Sequence, residues 1–308
     1  MKIREIASGL QFPEGPVAMP DGSVLVVEIA RGTLTRVLPD GRLQIVATTG
    51  GGPNGAALGP DGSVIVCNNG GFRWTTEPGG IHRPIGPADN YAGGWIERVN
   101  LASGTVERIY ERCGDRALCG PNDLVFDDAG GFYFTDFGKS REHDLDWGAV
   151  YYARADGGDI HTVLPRAMTP NGTALSPDGR TLYYAETEGA RLWAFDVAAP
   201  GALARPAWPP PHGGRLVTAS PGGGLQRFDS IAVDALGNVL IATLLHGGIT
   251  IVSPDGRLTS HIALPDPFTT NCCFGGAELR TLYVTLSGTG KLVAIDDWPV
   301  PGLRLAHA

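Results

Sequence analysis

Residues 170–186, PNGTALSPDGRTLYYAE, decide the fold, because they spell a complete β-hairpin. A short apolar strand around Thr173–Leu175 runs into Pro177-Asp178-Gly179, and a second apolar strand, Thr181–Ala185, runs out of it. Asp and Gly supply the side-chain bonding and positive φ that a tight turn between strands needs. The same phrase recurs as PEGPVAMPDGSVLVVE from Pro13, PNGAALGPDGSVIVCN from Pro53, PNDLVFDDAGGFYFTD from Pro121, FDSIAVDALGNVLIAT from Phe228 and TNCCFGGAELRTLYVT from Thr270. One polar position is held in register through all of them: Glu14, Asn54, Asn122, Asn171, Asp229 and Asn271.

Successive phrases begin 40, 68, 49, 58 and 42 residues apart. That spacing suits the blades of a propeller and is too irregular for a tight solenoid. Each hairpin is followed by further β-rich stretches, such as TLTRVLP and LQIVATT after the first and GITIVSP and LTSHIAL after the fifth. About four strands per repeat result, with no convincing helical period. The reading is an all-β chain, 1–308, forming one six-bladed β-propeller with four-stranded blades. Exposed edges at the ring's seam need covering. The segment IREIASGL before the first phrase is expected to supply the strand that closes the last blade, beside KLVAIDDW. Residues 71–95 and 199–224 lack strand periodicity and read as irregular insertions, candidate lids over a pocket. Phe72, Trp74, Tyr91 and Trp95 equip the first for that role, or for packing on the blade surface.

The chain has 308 residues, 45 of them Gly and 24 Pro, yet 43% are hydrophobic, the profile of a turn-rich folded protein. A net charge of -8 without basic runs argues against nucleic acid and anionic membranes as partners. No apolar run approaches the roughly 18 residues of a membrane span. MKIREIASGL lacks the apolar core of a secretory leader, so a cytoplasmic location is expected. Five cysteines without zinc spacing read as free thiols in a reducing compartment, a Cys113–Cys119 bridge being the alternative. Nothing points to a protein partner; a small molecule is the expected one.

The first strand of a blade lies nearest the central channel, so the six held positions converge at one mouth. Two are carboxylates, Glu14 and Asp229, and four are amides, an oxygen set suited to a hard divalent cation. Isolated Pro-Asn-Gly is also an ordinary turn, and Asn54 and Asn271 fit that reading. Local turn chemistry does not explain the two acids. The second strands return to the same mouth at Glu28, Asn69, Asp136, Glu186, His246 and Ser287. His246 is a candidate base or substrate contact, with a structural role as the alternative. No G-x-S-x-G, Walker loop or H-E-x-x-H is present.

At FPEGP (Phe12–Pro16), GPNDLVFD (from Gly120), TPNGTALSPDGRTLYYAET (from Thr169), FDSIAVDALGNVLIA (from Phe228) and NCCFGGAELRTLYVT (from Asn271), the chain resembles the senescence marker protein/gluconolactonase/luciferin-regenerating enzyme family. The resemblance covers nearly the whole chain. It implies one divalent cation on the channel axis, calcium first, with zinc, manganese or magnesium as alternatives. It places metal ligands at Glu14, Asn171 and Asp229, and an amide beside metal and substrate at Asn122. Asn54 and His246 are further substrate-contact candidates from their own places at the mouth, not from the resemblance. Asp229 occupies the position of the proposed general base. The implied activity is hydrolysis of a lactone. A phosphotriesterase-like hydrolase and a non-hydrolytic metal- or ligand-binding propeller are the alternatives. Some sugar-lactone-hydrolysing members carry an arginine two residues before the amide; here that place is Gly120, so a polyhydroxylated aldonolactone would lose a contact and gluconolactone itself is not assigned.

Overall fold

The structure is a computed structural model describing residues 2–204 and 213–307, all strand, turn and loop without a helix. Six sheets form the ring. Blade 1 comprises Pro13–Ala18, Val24–Glu28, Thr33–Val37 and Leu43–Thr48; blade 2, Pro53–Leu58, Val64–Asn68, Trp95–Val99 and Val106–Tyr110. Blade 3 comprises Pro121–Phe126, Gly131–Asp136, Gly148–Arg154 and Ile160–Ala167. In blade 4, Pro170–Leu175, Thr181–Glu186 and Arg191–Ala199 are followed by two short pieces, Ala202–Ala204 and Arg215–Ala219, both paired to the third strand. Blade 5 comprises Arg227–Val233, Val239–Leu244, Gly248–Val252 and Thr259–Ala263. Blade 6 comprises Thr269–Gly275, Thr281–Leu286, Lys291–Asp296 and, as its outer strand, Lys2–Ala7. The expected closure of the last blade by the N-terminal strand is therefore present.

The first strands touch one another in sequence around the axis, and that of blade 6 touches that of blade 1. The second strands have no exposed side; Val24–Glu28 and Gly131–Asp136 are buried along their whole length. Neighbouring blades cover both faces, which is why these strands read as apolar runs rather than alternations. Ile65, Phe134 and Tyr151 share one core between blades 2 and 3, and Ala185, Leu192 and Ile241 another between blades 4 and 5. Each such large side chain contributes roughly 1.5–3 kcal/mol by its burial.

Close approach of the inner strands needs small residues after the held position. A Cβ on Gly15, at φ +50°, would stand 2.6 Å from the Asn54 carbonyl oxygen, and one on Gly172 would stand 2.5 Å from the Ile231 nitrogen.

The reading of 71–95 as irregular is corrected in part. Phe72–Thr76 and His82–Pro87 pair as an antiparallel hairpin rising between the second and third strands of blade 2. The ribbon is half-buried or exposed along both strands, and its return strand carries Pro84, Gly86 and Pro87, so no period-two pattern marks it. In 199–224 the short strands named above are likewise present; residues 205–212 lie outside the described ones. All five cysteines are free. Among the described residues no helix is long and apolar enough to cross a membrane.

Candidate active site

Every inner hairpin carries an irregularity at the held residue. Pairing jumps between Glu14 and Val17, Pro53 and Ala56, Pro121 and Leu124, Pro170 and Thr173, Phe228 and Ile231, and Thr269 and Asn271. In each case the inner strand holds one residue more than its partner, the mark of a β-bulge, which bends the strand and re-aims a side chain. The bulges set Asn54, Asn122, Asn171 and Asp229 out of the ladder at the head of the channel, while Glu14 and Asn271 flank theirs, each still opposite a partner, Val27 and Thr285. All six residues are buried. Two residues before Glu14 and Asn171 the backbone is strained: Phe12 has φ +54° and Thr169 φ +38°, positions costing of order 1–3 kcal/mol that cluster at functional sites.

Glu14 Oε2 accepts two hydrogen bonds, from its neighbour Gly15 N (2.9 Å) and from Asn271 Nδ2 (2.8 Å). Asn271 Oδ1 is itself taken by Cys272 N at 2.7 Å, so this amide orients Glu14. Asn171 is oriented by Thr187. The Thr187 hydroxyl donates to Phe228 O (2.7 Å) and therefore accepts from Asn171 Nδ2 (3.0 Å). The backbone carbonyl of Asn171 accepts from the Thr135 hydroxyl at 2.6 Å. Two amide oxygens, Asn171 Oδ1 and Asn122 Oδ1, are left buried without a hydrogen-bond partner. An orphaned buried oxygen is costly, and these two, in a ring with two buried carboxylates, are oxygen donors that a cation could satisfy.

The acids say the same. Burial pushes the Glu14 carboxyl well above the usual carboxylate range. Burial, then the charge of Glu14, raises Asp229 strongly, while a hydrogen bond from the Asn171 amide opposes the shift. Asp123, unmarked by the repeat, adds to both: it is buried beside Asn122, and burial lifts its carboxyl to about 7. It occupies the place of the glycines after Glu14, Asn54 and Asn171, and that exchange was a readable signal for a third axial acid. A divalent charge would relieve this crowding. Among the described residues no three of His, Cys, Asp and Glu gather as metal ligands; the set is two carboxylates completed by amides. Glu14, Asn171, Asp229 and Asn122 thus fit a hard cation in donor type and charge.

Asn54 stands in the ring with the others. His246 does not. It is exposed, on the turn after the second strand of blade 5, with its ring 4.5 Å from that of His261 in the outer strand. The second-strand residues mainly anchor loops. Glu28 accepts from Gln11 N (2.7 Å), and Asp136 accepts from Cys119 N, Gly120 N and Gly138 N (2.8, 2.6 and 2.9 Å). Beyond the ring, towards the turn end of the inner hairpins, the channel widens into a cavity of about 1040 Å³ reached by Asp123 and flanked by Leu303–His307.

These features define a class: a six-bladed propeller with an oxygen-only site on its axis. The chain belongs to the SMP-30/gluconolactonase/LRE-like family, whose profile matches residues 12–288. It is 30% identical over 267 residues to lactonase drp35 of Staphylococcus saprophyticus, covering 83% of this chain and 71% of that protein. It is 27% identical over 323 residues to a gluconolactonase of Zymomonas mobilis, covering 92% and 79%. Regucalcin of Agrobacterium tumefaciens, described as a calcium-binding protein, shares the fold with a TM-score of 0.72 at 19% identity, over 96% of this chain and 95% of that one.

Proposed function

We propose that this protein hydrolyses a lactone at the axial site, with a divalent cation, calcium first, held by Glu14, Asn171 and Asp229. The observation that carries the reading is the pair of unpartnered buried oxygens, Asn122 Oδ1 and Asn171 Oδ1, beside two crowded carboxylates. The lactonase and gluconolactonase relatives support the reaction type.

A cation bound here supplies a Lewis acid that polarises the lactone carbonyl and steadies the developing oxyanion. Asp229 removes a proton from the attacking water as its oxygen bonds to the carbonyl carbon. The ring C–O bond then breaks, and that proton passes to the departing alkoxide, so one water is consumed and a hydroxy acid forms. The basicity of Asp229 comes from its placement and its dry surroundings. Asn122, its amide nitrogen free to donate, orients the substrate, and Asn54 completes that side of the ring. Glu14, clamped by Asn271, and Asn171, clamped by Thr187, hold the geometry.

The test is a pH-indicator assay over a panel of lactones, with and without chelator, on the native chain and on Asp229→Ala and Glu14→Gln. Activity lost with chelator and in both variants is expected. Folded variants that keep full lactonase activity would overturn the reading.

A further inference from the structure

We infer that an aromatic row beside the axial site selects lactones bearing an apolar alkyl or aryl substituent, and that Trp74 is the residue that sets this preference. The inference rests on the lactonase reading above and names its substrate class.

The row is built by the 72–87 hairpin. The hairpin leaves blade 2, passes blade 1 and docks on blade 6, where His82 N donates to Gly288 O at 2.9 Å. On the way the Trp74 ring comes 5.0 Å from that of Phe12, and Phe12 lies 6.0 Å from Phe268; Phe72 continues the row 6.0 Å beyond Trp74. Phe12 precedes Glu14 by two residues and Phe268 precedes Asn271 by three, and these two polar residues are bonded to each other. The rings therefore stand over one side of the ring of ligands.

The row is held rigid. His82 stacks on Trp74 at 4.8 Å with planes 11° apart, and Lys139 Nζ donates to Gly71 O (3.1 Å) while lying 3.9 Å from the Phe72 ring. Trp74, Phe72 and Phe268 remain only half-buried, so apolar surface is left for a ligand. A preorganised aromatic wall binds apolar groups at little entropic cost. Gly120 offers a polyol no side-chain contact: a Cβ there would stand 2.3 Å from the Gly138 carbonyl oxygen, leaving no room for a side chain at that position that could reach sugar hydroxyls.

Steady-state kinetics on γ-butyrolactone, γ-nonalactone and glucono-δ-lactone test this, with Trp74→Ala and Trp74→Phe. The native enzyme should favour γ-nonalactone over the other two by about tenfold or more in kcat/KM. Trp74→Ala should lose that factor through KM while leaving γ-butyrolactone within about twofold, and Trp74→Phe should keep most of it. In parallel, binding of 2-hexylcyclopentanone, which has no ester to cleave, should weaken by about tenfold in Trp74→Ala. Preference for glucono-δ-lactone, or a uniform loss over all three lactones, would overturn the inference while leaving lactone hydrolysis intact. Ketone binding that depends on Trp74 with no lactone turned over would leave the apolar subsite standing and remove the proposed reaction instead.

Discussion

Asn271 donates from Nδ2 to Glu14 Oε2 at 2.8 Å, so an amide of the last blade holds an acid of the first across the seam where the ring closes. Site geometry and ring closure are thereby one interaction.

Asn271→Ala frees Glu14 without removing any of the three proposed ligands. Outer partners of metal ligands typically carry 10–100-fold in affinity. Calorimetric titration with calcium should show a loss of about that size in a protein that still folds. An unchanged Kd would mean that Glu14 needs no clamp.

Removal of the cation should destabilise the native chain. A ligand at a hundred times its Kd contributes about 2.7 kcal/mol, so calcium should raise the melting temperature and chelator should lower it. Asp229→Asn removes one of two crowded, buried acids. Its cation-free form should melt at or above the cation-free native chain, and added calcium should not move it. A variant that still responds to calcium would place the cation elsewhere.

Gly15→Ala sets a methyl group 2.6 Å from the Asn54 carbonyl oxygen at a φ of +50°. Blades 1 and 2 can then no longer close up at the axis. The expected destabilisation is about 2 kcal/mol or more, read as a fall in the urea midpoint. Gly62→Ala, also at positive φ but in open space, is the matched control and should lose about 1 kcal/mol.

Lys139 is buried, and desolvation brings its ammonium group down to about 7. The unfolded chain keeps its proton up to about pH 10.4. Between those values the unfolded state binds more protons, so this residue makes stability rise with pH from about 7 upward. Lys139→Met should flatten that slope and raise the melting temperature at pH 7 by a few degrees. Both acceptors keep a partner, since Asn69 Oδ1 still takes Gly71 N and Gly71 O still takes Ala88 N. A melting profile over pH 6–10 that matches the native one would show that Lys139 stays charged throughout.

The ring, its order and its closing strand were legible because a hairpin repeats its turn chemistry wherever it recurs; the Pro-Asp-Gly turns at 20–22, 60–62 and 177–179 announce themselves. The held residues were legible for the same reason, being fixed by distance from the turn. The bulges were not, since an extra residue in a strand leaves no compositional mark. Nor was the 72–87 hairpin, whose two-sided exposure erases the alternation by which strands are recognised. Asp123 was legible only as the replacement of a packing glycine, since it lies one residue past the held position. His246 lies three residues past the repeat equivalent of Glu28, which the pairing with Phe228 assigns to Thr243, so it falls on the turn, where its ring meets that of His261.

Lys2–Ala7 complete a sheet whose other strands end at Asp296. During synthesis this strand must therefore wait for a partner made about 290 residues later, while blades 1 to 5 can form in turn behind the ribosome. Until then blade 6 offers an unpaired edge, and the Glu14–Asn271 clamp does not exist. A chain cut short anywhere before residue 291 would lack the closing partner and the shape of its own site together, so truncated products should be recognisable to the cell by sticky edges rather than by faulty catalysis.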